Sequence, residues 1–238
     1  MKSIRLLAFA AVPLLTLNLL AADPALKPLM TKPGKLLFSD DLSDAALSKE
    51  WRAAKGKWEG AGGAMQAAEL KADMHGAVAR HTMPFHDVII QYSFKLQGAR
   101  ATTLSINDAK EHVCRVLINK AGFTVQKDDH DHAGPDKAAL LDRQEAALDE
   151  GKWHTVLVEI RGKEMLAQLG GRIGYGAHEA IDVDKANFGF TVAGESVQFK
   201  DVQVWEALSN PDWAGNRKEL EARPKLAAVQ PKAKAKQK

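Results

Sequence analysis

An all-β fold, built from two antiparallel sheets packed face to face, is what this sequence predicts, and three observations carry the prediction. From Gly151 to Gly171, Val156, Val158 and Ile160 alternate with Thr155, Leu157 and Glu159. Arg161-Gly162-Lys163 then supplies turn chemistry, and Met165, Ala167 and Leu169 resume the alternation, so the stretch is a hairpin. Second, strand-like runs of this kind recur at short spacing from residue 34 to 207. Third, almost no helical periodicity separates them, which is the signature of an antiparallel sandwich.

Taken in order, Leu36-Leu37-Phe38 opens the strands and Asp40-Asp41 turns the chain. Trp51 to Glu59 and Ala64 to Ala68 are expected as two short strands around the Gly60, Gly62 and Gly63 turn. Ala77 to His81 is a weak strand. Val88 to Leu96 is the longest, with Val88, Ile90, Tyr92, Phe94 and Leu96 on one face. Thr102 to Asn107, Val113 to Asn119 and Phe123 to Lys127 follow, and then a charged, Ala-rich connection over 134–150. The hairpin, Arg172 to Ala177, Phe188 to Val192 and Val197 to Trp205 complete the series. Ser209-Asn210-Pro211-Asp212 offers cap residues and a proline that suit a helix start, so a short helix is expected over 208–223, stopped by Pro224.

The flanks differ in character. Lys2 and Arg5, the apolar run Leu6 to Leu20 and the small exit residues Ala21-Ala22 make residues 1–22 a signal peptide, with 23–33 an extended lead-in. Export, to the medium or the periplasm, follows as an expectation. Residues 224–238 form a basic, low-complexity tail. The formal charge of +3 includes eight basic residues in the leader and from Arg223 onward, leaving −5 for residues 6–222. A mildly acidic domain is poorly suited to bind nucleic acid, although the tail can contact an anionic polymer. Cys114 is the sole cysteine, which excludes an intramolecular disulfide, and its apolar neighbours point to burial.

The order of an LFSDDLSDAAL opening, a KWEGAGGAM turn, an FHDVIIQYSFKL strand, GKWHTVLVEIRGKEMLAQLGG and a closing FTVAGESVQFKDVQVWEA resembles a known group. It is similar to the concanavalin A-like jelly-roll domains of the three-keto-disaccharide hydrolase and laminarinase-like superfamily. The resemblance implies a jelly roll over 34–207, a carbohydrate ligand and, for enzymatic members, glycoside hydrolysis. Where relatives carry an acidic residue and a glutamine two positions apart, this chain has Val113 and Arg115. The paired-carboxylate E-x-D-x-x-E strand of laminarinases is absent.

Alternation sorts a polar set away from the core: Gln91, Ser93 and Lys95; Thr103, Ser105 and Asn107; Arg115 and Asn119; Thr124, Gln126 and Asp128. Arg115 is expected to be the one arginine on this face, its forked guanidinium suited to vicinal hydroxyls or a uronate. At the rim, Lys127-Asp128-Asp129-His130-Asp131-His132 is the densest polar cluster in the chain, joined by His112. It lacks the spacing of a calcium loop, and no metal or cofactor is expected. The candidate ligand-binding residues are therefore Arg115, Asn119, Gln126, Asp128, Asp129, His130 and His112. Three functions compete: a glycan-binding or hydrolase-like domain, an active glycoside hydrolase or lyase acting on a disaccharide or polysaccharide, and an envelope or matrix structural protein.

Overall fold

The structure, a computed structural model, describes residues 26–130 and 134–224. The expected signal peptide, residues 225–238 of the tail, and Asp131 and His132 lie outside them. The described residues form thirteen strands and one α-helix: β1 Thr31–Asp40, β2 Trp51–Lys55, β3 Lys57–Gly60, β4 Met65–Ala68, β5 Ala77–Phe85, β6 Val88–Asn107, β7 His112–Asn119, β8 Gly122–Lys127, β9 Ala139–Glu145, β10 His154–Arg161, β11 Glu164–Leu169, β12 Arg172–Ala177, β13 Lys185–Ser209 and α1 Trp213–Glu221. All strand pairs are antiparallel, as a jelly roll requires.

Two strands run through both layers. The first half of β6 pairs with β10 and with the second half of β13, which in turn pairs with β1 and β4. With β11, β12 and β3 these make the back sheet. The second half of β6 pairs with β7 and with the first half of β13, giving the front sheet in the order β2-β5-β13-β6-β7-β8-β9. The expected strands at 88–96 and 102–107 are thus halves of one, as are those at 188–192 and 197–205. Gly98 and Gly194, at φ +89° and +100°, let both chains bend while the ladder between them continues with shifted register.

Other expectations are corrected. Trp51 to Glu59 divides at Gly56 (φ +75°), so β2 joins the front sheet and β3 the back. The connection expected over 134–150 contains β9. Its sequence, ALLDRQE, favours helix by composition and carries an irregularity opposite Val125-Gln126, so alternation does not reveal it. β1 begins inside the expected lead-in, because Thr31 pairs with Ser209.

Between the sheets lie the inward residues of both. Tyr92 and Phe94 of the back sheet, Leu104, Ile106, Cys114, Val116, Phe188 and Phe190 of the front, and Val156, Val158 and Phe199 are all buried. Phe190 and Phe199 stack across the interior at 4.5 Å.

The outer face of the back sheet is largely covered. Trp213 and Leu220 of α1 pack with Met30, Leu166 and Tyr175, and Glu164 accepts bonds from Trp213 Nε1 at 3.0 Å and Tyr175 OH at 2.5 Å. Fully buried Glu159 accepts the backbone N–H groups of Leu29, Met30 and Thr31 at 2.8, 2.9 and 2.6 Å. Those bonds strap the N-terminal segment over β10, where Leu26 packs with Ile89 and Leu157. Among the described residues, no helix is long and apolar enough to cross a membrane.

Candidate functional site

The open side of the sandwich is the outer face of the front sheet. Strand pairing places one continuous row across it: Arg52 opposite Arg80, Arg80 opposite Gly189, Gly189 opposite Ser105, Ser105 opposite Arg115, and Arg115 opposite Gln126. The next row holds Thr82, Asn187, Asn107 and His112. Thr103, Ser105 and Asn107 point away from the core yet are only 8%, 6% and 3% exposed, so the middle of the face is recessed. Arg80, Ser105, Asn107, His112, Gly189 and Thr191 line a depression there of about 60 Å³.

Polar contacts order this recess. The Asn107 amide donates to Asn187 Oδ1 at 2.6 Å, and its own Oδ1 meets His112 Nδ1. That bond makes Nδ1 the donor and leaves Nε2 as the acceptor of a neutral imidazole. Burial, and then the nearby Arg115 charge, hold the His112 pKa below the ordinary 6.5. Arg115 Nε lies 2.5 Å from Asp128 Oδ1, and the carboxylate is almost wholly buried whereas the arginine remains partly exposed. The contact is an ion pair whose N–H is poorly aligned, and Asp128 Oδ2 has no hydrogen-bond partner among the described residues. Asp128 therefore anchors the guanidinium through Nε, while the arginine side chain stays 30% exposed. Gln126 donates to Thr124 Oγ1 at 2.6 Å alongside.

The candidate residues do not all meet. Arg115, Asp128, Gln126 and His112 lie near one another beside the recess, and of the four His112 lines it. Asn119 lies at the far end of β7, where its Oδ1 accepts the Ala121 N–H at 2.8 Å and stabilises the β7–β8 turn. Asp129 faces Lys137 at 3.5 Å, and His130 Nε2 bonds Asp108 Oδ2 at 2.7 Å. Both belong to a rim cluster around the pair of buried Lys127 with partly exposed Asp136, beside a groove of about 200 Å³ with Val113 and Val183. Among the described residues, no group of three or more His, Cys, Asp or Glu side chains is placed to hold a metal ion. Cys114 points inward, its thiol pushed up to about 12 by burial.

Two parts of the expected face are corrected. Gln91, Ser93 and Lys95 lie on the outer face of the back sheet, where Ser93 bonds Thr155 and Lys95 sits over Trp153. A strand that crosses both layers sends equivalent residues to opposite sides of the molecule. Nor is Arg115 the one arginine. Pairing brings Arg52 and Arg80 into its row, and Arg143 opposite Thr124. The signal for Arg80 was its alternation with Val78 and Thr82 against Ala77, Ala79 and His81, which two alanines made weak.

Fold and face together define a concanavalin A-like jelly roll with one sheet largely covered and the other open. No protein-family profile matches the chain, and no curated protein matches its sequence. Solved structures match it in fold. A carbohydrate-binding module, CBM66, from Bacillus subtilis is 14% identical with a TM-score of 0.53, over 66% of this chain and 96% of the module. A galectin-like protein of unknown function from the same organism is 12% identical, TM-score 0.58, over 76% of this chain and 100% of that one. The laminarinase of Rhodothermus marinus is 10% identical, TM-score 0.56, over 74% of this chain and 99% of the enzyme.

Proposed function

We propose that this protein is an exported carbohydrate-binding jelly-roll domain that grips a glycan on the outer face of its front sheet. The observation that carries the reading is the recessed polar row Arg80-Gly189-Ser105-Arg115, backed by Asn107 and His112, on the side of the sandwich that α1 and the N-terminal segment leave open. Hydroxyls, amides and guanidinium forks are the groups that match sugar hydroxyls, each hydrogen bond contributing about 0.5–1.5 kcal/mol net. The carbohydrate-binding module and the laminarinase among the fold neighbours support the same ligand class.

Binding fits this face better than hydrolysis. A glycosidase needs two carboxyl groups flanking the scissile bond, roughly 5–10 Å apart. The residues that line the depression, among them Ser105, Asn107, Gly189 and Thr191, include no acid, and Asp128 is held in its pair with Arg115. Kinship with the three-keto-disaccharide hydrolases is accordingly proposed as one of scaffold.

The test is a glycan array probed with the mature chain, followed by calorimetry on the best ligand. Arg115→Lys keeps the charge that Asp128 requires but loses the fork, and is expected to weaken binding about tenfold, or about 1.4 kcal/mol. A folded chain that binds no glycan, or a Lys variant of undiminished affinity, refutes the site.

A further inference from the structure

The front face carries an excess of positive charge that the −5 balance of residues 6–222 does not suggest. Arg52 and Arg80 stand directly opposite each other on β2 and β5, a like-charge pairing that costs stability in an antiparallel ladder. Neither makes an ion pair among the described residues, and Arg143 likewise has none. Asp128 offsets Arg115 alone.

The two inner arginines stand in one row, separated by a gap. From Arg80 the row passes Gly189 and Ser105 before it reaches Arg115, so their backbones lie three strand spacings apart, about 14 Å. What lies between is a hydrogen and a hydroxymethyl group. A Cβ added at Gly189 would lie 3.0 Å from Arg80 Cγ, so the Arg80 stem already leans over the glycine toward the recess. The same depression is lined by Asn107 and His112; burial and then Arg115 hold the His112 pKa down, against Asp128 and Glu111, with Arg80 adding the smallest push. A neutral sugar needs hydrogen bonds but gains nothing from an unpaired Arg80 on one flank and a second guanidinium, paired with Asp128 through Nε, on the other. An anion gains from both.

Resting on the glycan-binding reading, we infer that the face selects acidic glycans, with an anionic substituent of the sugar held between Arg80 and Arg115. A uronate carboxylate and a sulfate ester share this chemistry. Ser105, Asn107 and His112 then take the ring hydroxyls.

Calorimetry with the full mature chain tests it, using four short probes: a galacturonic acid trisaccharide, its methyl ester, a sulfated oligosaccharide and a neutral β-glucan trisaccharide. At least one of the two acidic probes is expected to bind at least tenfold more tightly than both the ester and the neutral sugar, and which one identifies the substituent. Arg80→Gln, which retains the Cγ over Gly189, is expected to remove most of that preference. Replacing Lys232, Lys234 and Lys236 of the tail by Gln is expected to change affinity less than twofold. If Arg80→Gln alters the thermal melt, Arg80→Lys replaces it, and a loss of at least threefold is the expected result. Equal binding of acid and ester together with no preference for sulfate, unchanged affinity in the Arg80 variant, or loss through the tail variant would each overturn acidic selection. If the neutral sugar binds tightly and Arg115→Lys weakens it, the binding reading survives without this inference. If no probe binds, acidic selection fails, and the array decides whether the binding reading fails with it.

Discussion

Arg115 combines two roles that pull against each other in any experiment on it. Its Nε holds the Asp128 carboxylate, which is almost wholly buried, while the arginine side chain remains partly exposed. Truncating it strands a buried anion, and breaking a fully buried pair in this way costs about 3–5 kcal/mol. Because Arg115 still meets water, Arg115→Ala is expected to cost less, about 2–3 kcal/mol in urea unfolding. Asp128→Ala removes the buried charge and leaves a cation that water can reach, so its cost should be smaller. The double variant should then be little less stable than Asp128→Ala alone, a non-additive result that identifies the pair as coupled. Additive losses would mean that the contact contributes nothing in solution. This is also why the Lys variant is the sounder probe of ligand binding at this position.

The two long strands are what turn a set of local hairpins into a closed sandwich, and their bends rest on glycine. At Gly194 the backbone sits at φ +100°, and an added Cβ would lie 3.0 Å from the Arg100 amide nitrogen. Gly194→Ala is therefore expected to cost about 1–3 kcal/mol, the range for a residue forced into a sparsely populated conformation, with a matching fall in the thermal midpoint. A neutral substitution would place the bend elsewhere. Elements of this kind were legible in part. The hairpin of β10 and β11 could be read outright, because Val156, Val158 and Ile160 alternate without interruption and Gly162 marks the turn. Gly98 and Gly194 read instead as breaks between strands, since a glycine that ends a strand and one that bends it leave the same local pattern. The edge strand β9 was hidden by its leucines and charges, because tertiary pairing with β8 overrides a helical propensity.

At the scale of the molecule, the site is a row drawn from positions 52, 80, 189, 105, 115 and 126. Alternation revealed which way Ser105, Arg115 and Gln126 point. It could not reveal that Arg80 lies three strands from Arg115, because neighbourhood across a sheet is set by topology between segments far apart in sequence. The same topology provides a test that isolates the face from the rest of the protein. Residues 88–96 and 101–107 belong to one strand but to different sheets, as do 197–206 and 187–193. Ligand seated in the recess should slow amide hydrogen exchange in the front-sheet segments 101–107, 112–118 and 187–193. Exchange in 88–96 and 197–206 should stay within error, because α1 and the N-terminal segment cover much of that sheet and no contact with ligand reaches it. General stabilisation by a ligand acts through global unfolding and would slow both halves of each strand together. A difference between halves of the same strand therefore reports local contact, and slowing confined to the back-sheet halves would move the binding site to the opposite side of the molecule.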